Sequence, residues 1–368
     1  MTGPTRAPPA GDDVRRHVRT LKDGYWDRTE VVQLDDGSLR VRKSSRGDAP
    51  PGPWGVAALR KEIAYLSTLP PRARAVFPPL LAAWDDPSAN PARVGYEVPF
   101  YVDHLDAGAL ARKRALAQPE IDQFQDVLAE ALLERVHASA PAGTEPLSVH
   151  LISVVNHALG ALEAYPDLAR LVRAESIRLN GEPQAGPRAA FARASADSAV
   201  LAALDAAPQV RLHGDLFLEN VLWRRPDMAP SPPVAPQLLL IDPVSVAGVT
   251  SGPPLFDLVK YESYATGELA ALRSDWVDVG GFDGGDDYTY GVRWQSAELA
   301  AFRSLDWHTR FRRAFNARYG PVDGKAYRLI DGYFSVAMAV NTGGTQRRAR
   351  LLKATQEFNA AANGGLVP

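Results

Sequence analysis

Two stretches of the chain carry the residues that decide its fold: residues 211–223 are RLHGDLFLENVLW, and residues 238–243 are LLLIDP. Asp215 and Asn220 are five residues apart, and Asp242 directly follows an apolar run that is typical of a buried strand. Phosphoryl transfer needs one carboxylate that orients an acceptor hydroxyl, together with oxygen ligands that hold magnesium against the phosphates. This spacing predicts that Asp215 is catalytic and that Asn220 and Asp242 bind Mg²⁺.

Length and composition narrow the class of protein. At 368 residues the chain exceeds the usual size of one hydrophobic core, so two lobes are expected. The absence of cysteine excludes disulfides, thiolate zinc sites and cysteine nucleophiles. A formal net charge of −2 gives no basic field for nucleic acid, and no apolar run is long enough to span a bilayer. We therefore expect a small-molecule partner, no nucleic acid and no membrane. The first residues lack a secretory signal, which favours a cytoplasmic location.

The pattern of elements predicts an α+β fold with a mixed β-sheet N-lobe and a mainly α-helical C-lobe. Strands over 29–34 and 38–43 flank Asp35-Asp36-Gly37, a strong hairpin signal, and a helix over 53–69 precedes strands over 80–84 and 94–102. Helical spacing dominates from Ile121 to about residue 205, and a small β patch follows over 220–223 and 237–241. The predicted units are a disordered lead-in (1–16), a nucleotide-binding lobe (17–106) and an α-rich lobe with the catalytic loop and acceptor site (107–368).

The HGDLFLEN stretch followed by IDP resembles the aminoglycoside phosphotransferase and choline kinase superfamily, whose usual signature is HGDxxxxN and a later IDxx. The IDP ending and the later PPLFDLVKY resemble the branches with fructosamine kinases and streptomycin-type phosphotransferases. The resemblance implies a bilobed, protein-kinase-like fold that uses ATP or GTP with Mg²⁺. It also implies that Asp215 orients or deprotonates an acceptor hydroxyl, and that Asp257 buttresses the catalytic loop.

The same resemblance implies a lysine for the α- and β-phosphates and a partner glutamate on a helix. Lys43 fits, because strand alternation puts it on the apolar face with Val41, and Glu62 fits, because helical spacing puts it on the inward side of its helix. The nucleotide hinge is expected at the backbone of Asp103 and Leu105. No G-x-G-x-x-G precedes Lys43, so the single-glycine stretch 22–28 is the candidate phosphate loop.

An acidic segment suggests what the acceptor carries. Residues 275–287 are DWVDVGGFDGGDD, with five aspartates and no basic residue. We expect Glu262, Asp275 and Asp278 to line the acceptor cleft, which favours an antibiotic or amino-sugar-like acceptor with ammonium groups. Trp276 and Phe282 are candidates for stacking on this acceptor. The alternative is a solvated, glycine-rich loop without a binding role.

Other functions fit the residues less well. A metallohydrolase using His213, Asp215 and Asp242 lacks further ligands, since no H-x-x-x-H pair exists among the seven histidines. A regulated protein kinase would show H-R-D, a glycine-rich loop and A-P-E. A catalytically silent nucleotide-binding pseudokinase and a sugar- or choline-type metabolic kinase stay open. These residues do not distinguish ATP from GTP, resistance from biosynthesis or metabolism, or a monomer from an oligomer.

Overall fold

A computed structural model describes residues 14–23, 27–46, 53–88, 93–139, 146–229, 235–244 and 248–364. Residues 1–13 of the predicted lead-in, residues 24–26 of the candidate phosphate loop and residues 230–234 of a proline-rich connector lie outside these ranges. In the described part of the chain, no helix is long and apolar enough to cross a membrane.

The N-lobe is a five-stranded antiparallel sheet with one long helix. Its elements are β1 (Val14–Asp23), β2 (Asp27–Leu34), β3 (Leu39–Ser45), α1 (Pro53–Ser67), α2 (Pro71–Arg74), β4 (Ala82–Asp86) and β5 (Arg93–Pro99). The strand order is β1-β2-β3-β5-β4. The predicted hairpin joins β2 to β3: Gly37 has a φ of 82°, and Asp36 accepts a hydrogen bond from the Ser38 amide at 2.8 Å.

Strand β1 differs from the prediction. It begins at Val14, inside the stretch 1–16 that was expected to be disordered. Its residues from Arg16 to Asp23 are exposed, and its register with β2 shifts at three points. A strand that buries no face has no reason to alternate apolar and polar residues, so its sequence gives no strand signal.

Helix α1 closes the inner face of the sheet. Leu59, Tyr65 and Leu66 of the helix are buried in the same core as Tyr96 and Val98 of β5. Burial of such side chains contributes about 1.5–3 kcal/mol each, so this layer holds the helix firmly against the strands. The face that carries Glu62 is thereby fixed toward the sheet.

The C-lobe is mainly helical, as predicted, and its elements follow in chain order. They are β6 (Leu105–Asp106), α3 (Ala107–Arg112), α4 (Gln118–Ala129) with a π-helical continuation (Glu130–Val136), α5 (Leu147–Glu163), α6 (Pro166–Arg173), β7 (Ser176–Leu179), β8 (Glu182–Ala185), α7 (Pro187–Ser195), α8 (Ser198–Ala206), β9 (Val210–Arg211), a 3₁₀ turn (Leu218–Asn220), β10 (Val221–Trp223), β11 (Leu238–Leu240), β12 (Ser251–Gly252), α9 (Leu255–Ala265), α10 (Glu268–Arg273), β13 (Val277–Gly280), β14 (Asp287–Val292), α11 (Ala297–Ser304), α12 (Thr309–Tyr319), α13 (Gly324–Ala339) and α14 (Gly344–Asn363).

Small sheets within this lobe position the site. Strands β11, β10 and β6 form a three-stranded sheet, and β12 pairs with β9. The 3₁₀ turn leads directly into the start of β10, and Asp242 lies two residues after the end of β11. Because β10 and β11 are antiparallel, both signature motifs lie at the same end of this strand pair. A further sheet, β13-β14-β7-β8, includes part of the acidic segment 275–287, so this segment is not a loop throughout. The predicted α+β, bilobed architecture is confirmed.

Candidate active site

His213 ties the two signature motifs together. Its imidazole is fully buried; Nε2 donates to the carbonyl oxygen of Ile241 at 3.0 Å, and Nδ1 accepts from the amide of Asp215 at 3.3 Å. Burial lowers the pKa of this imidazole despite the opposing charges of Asp257 and Asp215, so the ring is neutral at pH 7. Since Ile241 precedes Asp242, one side chain holds the catalytic loop beside the end of β11.

Asp257 holds the same loop through hydrogen bonds to its backbone. The buried carboxylate accepts from the amides of His213 and Gly214, each at 2.8 Å, and from Nε2 of His137 at 3.0 Å. Gly214 has a φ of 81°, a left-handed conformation that glycine adopts without the strain of a side chain. The buttressing role predicted for Asp257 is therefore what the contacts describe.

Asp215 projects from this loop with its side chain one-quarter exposed. Nδ2 of Asn220 donates to its carbonyl oxygen at 2.8 Å and to its Oδ2 at 3.2 Å. Nζ of Lys260 lies 2.9 Å from its Oδ1. Two donors thus fix the orientation of a carboxylate that solvent still reaches.

Lys43 lies at the junction of the two lobes. Its Nζ is 2.9 Å from Oε2 of Glu62 and 2.9 Å from Oδ1 of Asp242, and Asp27 follows at 3.5 Å. The predicted pairing of Lys43 with Glu62 is present, and Tyr96 adds a hydrogen bond from its hydroxyl to Oε1 of Glu62 at 2.8 Å. One ammonium therefore links β3, α1 and the end of β11.

The protonation of this cluster follows from burial and charge. Burial opposes the charge of Lys43, but Asp242 and Glu62 outweigh it and raise the pKa of the ammonium well above its ordinary value. Burial raises the pKa of Glu62 to about 7, although Lys43 opposes the shift. Burial also disfavours the charge of Asp242, but Lys43 and Lys22 outweigh it, so the pKa of this carboxyl lies below its ordinary value. Asp242 is consequently ionised at neutral pH, as a metal ligand must be.

The expected hinge residues lie at the start of the C-lobe. Asp103 is buried, and its Oδ1 is 2.8 Å from Nδ1 of His104, so its side chain belongs to the protein interior. Leu105 begins β6 opposite Trp223 of β10, and its side chain is about half exposed. Backbone contacts of Asp103 and Leu105 with a nucleotide stay a prediction.

The acidic residues assigned to the acceptor contact arginines of the C-lobe. Glu262 is fully buried and forms a two-pronged ion pair with Arg312, so its carboxylate already has a partner within the protein, and its contact with a ligand stays a prediction. Asp278 is exposed on β13 and lies 3.6 Å from Arg293, which also donates to the carbonyl oxygen of Asp275. Phe282 is partly exposed and packs against Tyr288 and Arg348.

Sequence reasoning missed the basic side chains near the catalytic loop. Lys260 is one of them: a lysine in the otherwise apolar run LFDLVKY, three residues after Asp257, was the available signal. Glu219, between Asp215 and Asn220, is bound by Arg112 at 2.7 Å and by Arg273 at 2.8 Å. These arginines come from α3 and α10, and their meeting at Glu219 depends on tertiary packing that sequence does not display.

Comparison with known proteins finds similarity only among solved structures, since no protein-family profile and no curated protein match the sequence. A protein of Thermobifida fusca assigned as a fructosamine-3-kinase is 18% identical over 95% of this chain and 94% of its own, with a TM-score of 0.45. A glucosamine kinase in complex with glucosamine, ADP and inorganic phosphate is 14% identical over 93% and 92%, with a TM-score of 0.42. A macrolide 2'-phosphotransferase of Brachybacterium faecium is 15% identical over 97% and 96%, with a TM-score of 0.38. All three are named as kinases or phosphotransferases of small molecules, the class of protein that the sequence motifs resemble.

Proposed function

We propose that the protein is a small-molecule kinase that transfers the γ-phosphoryl group of ATP or GTP to a hydroxyl group of a small acceptor. The observation that carries the proposal is the contact of Lys43 with both Glu62 and Asp242, at 2.9 Å each, across the junction of the lobes. Beside it, Asp215 and Asn220 are held on a loop that His213 ties to the residue before Asp242. These are the types of group that phosphoryl transfer requires, and the contact of His213 with Ile241 supports their acting at one site.

The residues present fit a magnesium nucleotide. Asp242 offers an ionised carboxylate, and Asn220 uses its amide nitrogen on Asp215, which leaves its carbonyl oxygen for a cation. Both are the hard oxygen donors that Mg²⁺ prefers. When bound, Mg²⁺ would neutralise charge on the phosphates. The ammonium group of Lys43 would then stay paired with Glu62 and bind the α- and β-phosphates in place of Asp242.

Asp215 is the group that addresses the acceptor. As the acceptor oxygen forms its bond to the γ-phosphorus, the bond from that phosphorus to the β–γ bridging oxygen breaks, and the nucleoside diphosphate leaves with the bonding electrons. Asp215 takes the hydroxyl proton and passes it to solvent. Lys260 and Asn220 hold the carboxylate in place for this step.

The acceptor class follows less directly. An antibiotic or amino-sugar-like alcohol was expected from the resemblance, and a role as a sugar- or choline-type metabolic kinase remains the alternative. The pairing of Glu262 with Arg312 already neutralises one of three acidic groups on which the amine hypothesis depended. A catalytically silent role has no observation in its favour, because Asp215, Asn220 and Asp242 are all present.

The proposal is tested by incubating the full chain with Mg²⁺ and ATP or GTP against a panel of aminoglycosides, nucleosides, amino sugars, sugar acids and choline-like alcohols. Mass spectrometry should detect a phosphate adduct on at least one acceptor. Asp215→Asn, which keeps the shape of the side chain, should bind nucleotide but form no adduct. Nucleotide binding without any adduct, and without nucleotide consumption that depends on Asp215, would instead indicate a silent binding module.

A further inference from the structure

A hollow adjoins the catalytic loop on the side of the C-lobe helices. Lys260, whose Nζ contacts Asp215, also lines this hollow, and further walls come from α10, α13 and α14. Its interior is small, with about 20 Å³ open to the centre of a water-sized group. Phe334 and Met338 provide apolar surface, and Ser335 and Arg350 provide polar groups. The hollow therefore has room for one small polar group of an acceptor, next to the lysine that contacts Asp215.

Arg350 is the unusual member of this lining. It is only 3% exposed, yet its Nε has no hydrogen-bond partner, and within the described ranges no carboxylate lies within ion-pair distance of its guanidinium. Burial, reinforced by the like charge of Arg273, lowers the pKa of Arg350 to about 10, so it is still charged at pH 7. A buried charge without a partner is strongly destabilising, and buried charges in folded proteins are usually paired.

The neighbouring cations all have carboxylate partners. Lys260 is bound to Asp215 at 2.9 Å, and Arg273 is bound to Glu219 at 2.8 Å. Lys353, which also lines the hollow, is bound to Glu268 at 2.7 Å and to Asp331 at 2.9 Å. The one acidic residue of the lining, Asp331, is thus already paired. Around this hollow, within the part of the chain that the structure describes, Arg350 alone among these cations lacks an anion.

We propose that the hollow binds an anionic group of the acceptor, so that the substrates are alcohols that also carry a carboxylate, sulfate or phosphate. This inference rests on the proposed kinase function. A guanidinium presents paired N–H donors that match the oxygens of such a group, and the low exposure of Arg350 strengthens the attraction. The anion would supply the missing partner of Arg350 while the hydroxyl reaches Asp215.

Turnover of matched acceptor pairs tests the specificity. D-glucuronate is compared with D-glucose, D-glycerate with glycerol, and ribose 5-phosphate with ribose. We expect kcat/KM to favour the anionic member of at least one pair by tenfold or more. Arg350→Met should remove that preference, and Arg348→Met is the matched control, since Arg348 is a neighbouring arginine on α14 that pairs with Asp167 outside the hollow.

A binding experiment tests the same site without turnover. Sulfate is titrated at constant ionic strength in the presence of Mg²⁺ and a non-hydrolysable ATP analogue, which occupies the nucleotide side. The Tm of the wild type and of Arg348→Met should rise with sulfate by more than that of Arg350→Met. Without sulfate, Arg350→Met should unfold at the same or a higher temperature than the wild type, because it removes an unpaired buried charge.

The outcomes separate this inference from the kinase function. Equal kcat/KM for charged and neutral acceptors in every pair, an equal sulfate response in Arg350→Met and the wild type, or a lower Tm of Arg350→Met without sulfate would each overturn the anion site and leave the kinase intact. If no acceptor is phosphorylated, the kinase function fails, and the sulfate titration alone decides whether the anion site exists.

Discussion

The contact of Lys43 with Glu62 can be measured as a coupling free energy. Both side chains are 5% exposed, and Lys43 has a second carboxylate, Asp242, at the same 2.9 Å. Lys43→Met leaves the buried carboxylate of Glu62 without a cation and leaves the partly exposed Asp242 with only Lys22, at 3.9 Å, which should cost about 3–5 kcal/mol of unfolding free energy. Glu62→Gln leaves the lysine with Asp242 and keeps an oxygen for Tyr96, so a loss of about 1.5–3 kcal/mol is expected.

The double substitution should cost much less than the sum. Once Lys43 is replaced, Glu62 is an unpaired buried carboxylate. Changing it to glutamine then removes a destabilising charge and breaks no ion pair. We expect a coupling energy of at least about 1 kcal/mol from urea unfolding of the four proteins. The nucleotide kcat/KM should show the same non-additivity, because both residues act on one ammonium position.

Arg60 and Asp85 provide the control cycle. This pair also joins α1 to the sheet, with 2.7 Å between Arg60 Nε and Asp85 Oδ2, but both side chains are at least one-third exposed. Solvent-exposed pairs of this kind contribute about 0.2–1 kcal/mol, so Arg60→Met and Asp85→Asn should combine almost additively. If the losses of unfolding free energy for Lys43→Met and Glu62→Gln also summed to that of the double mutant within about 0.5 kcal/mol, the two side chains would not be energetically coupled.

Three further outcomes follow from the site. Asp215→Ala should lose nearly all turnover but bind magnesium nucleotide as the wild type does, measured by calorimetry; parental turnover would refute its assignment. Asp242→Ala should weaken magnesium nucleotide binding at least tenfold and also lower kcat, and unchanged binding would exclude it as a metal ligand. Burial raises the pKa of Glu62 from 4.5 to about 7 although Lys43 opposes the shift, so Glu62 changes from mainly neutral to mainly ionised as pH rises through 7. The nucleotide KM should therefore fall as pH rises through 7, whereas the KM of Glu62→Gln should not change over this pH range. The raised pKa also means that the contribution of Glu62 to stability should decrease as pH rises from 4.5 to about 7.

The chemistry of the catalytic loop was predictable because its residues are local in sequence. Asp215 and Asn220 share one turn, and Asp242 ends an apolar strand whose pairing with β10 brings it to the same place. Lys43 and Glu62 were predictable because strand and helix periodicity fix which face each residue occupies. In each case a short-range rule decides the position of the side chain.

The acceptor side was not predictable in this way. Glu262 precedes the acidic segment in sequence, but its partner Arg312 comes from a helix fifty residues later, and only packing of α9 against α12 brings them together. Lys260 and Arg350 likewise meet at one hollow from helices far apart in the chain. A count of acidic residues along the sequence has no information about which of them are already neutralised by distant arginines.

Strand β1 has a consequence for how the protein behaves at high concentration. Among the described strands it forms one edge of the N-lobe sheet, and an open edge is a template on which a strand of another molecule can add. Arg16, Arg19 and Lys22 are exposed along it, and three register shifts interrupt its regular spacing. Two copies approaching edge to edge would bring these like charges together. Strand β1 is therefore expected to limit self-association. A chain shortened to begin after Asp23 would present the edge of β2, with Val31 and Val32 behind it, and is expected to aggregate.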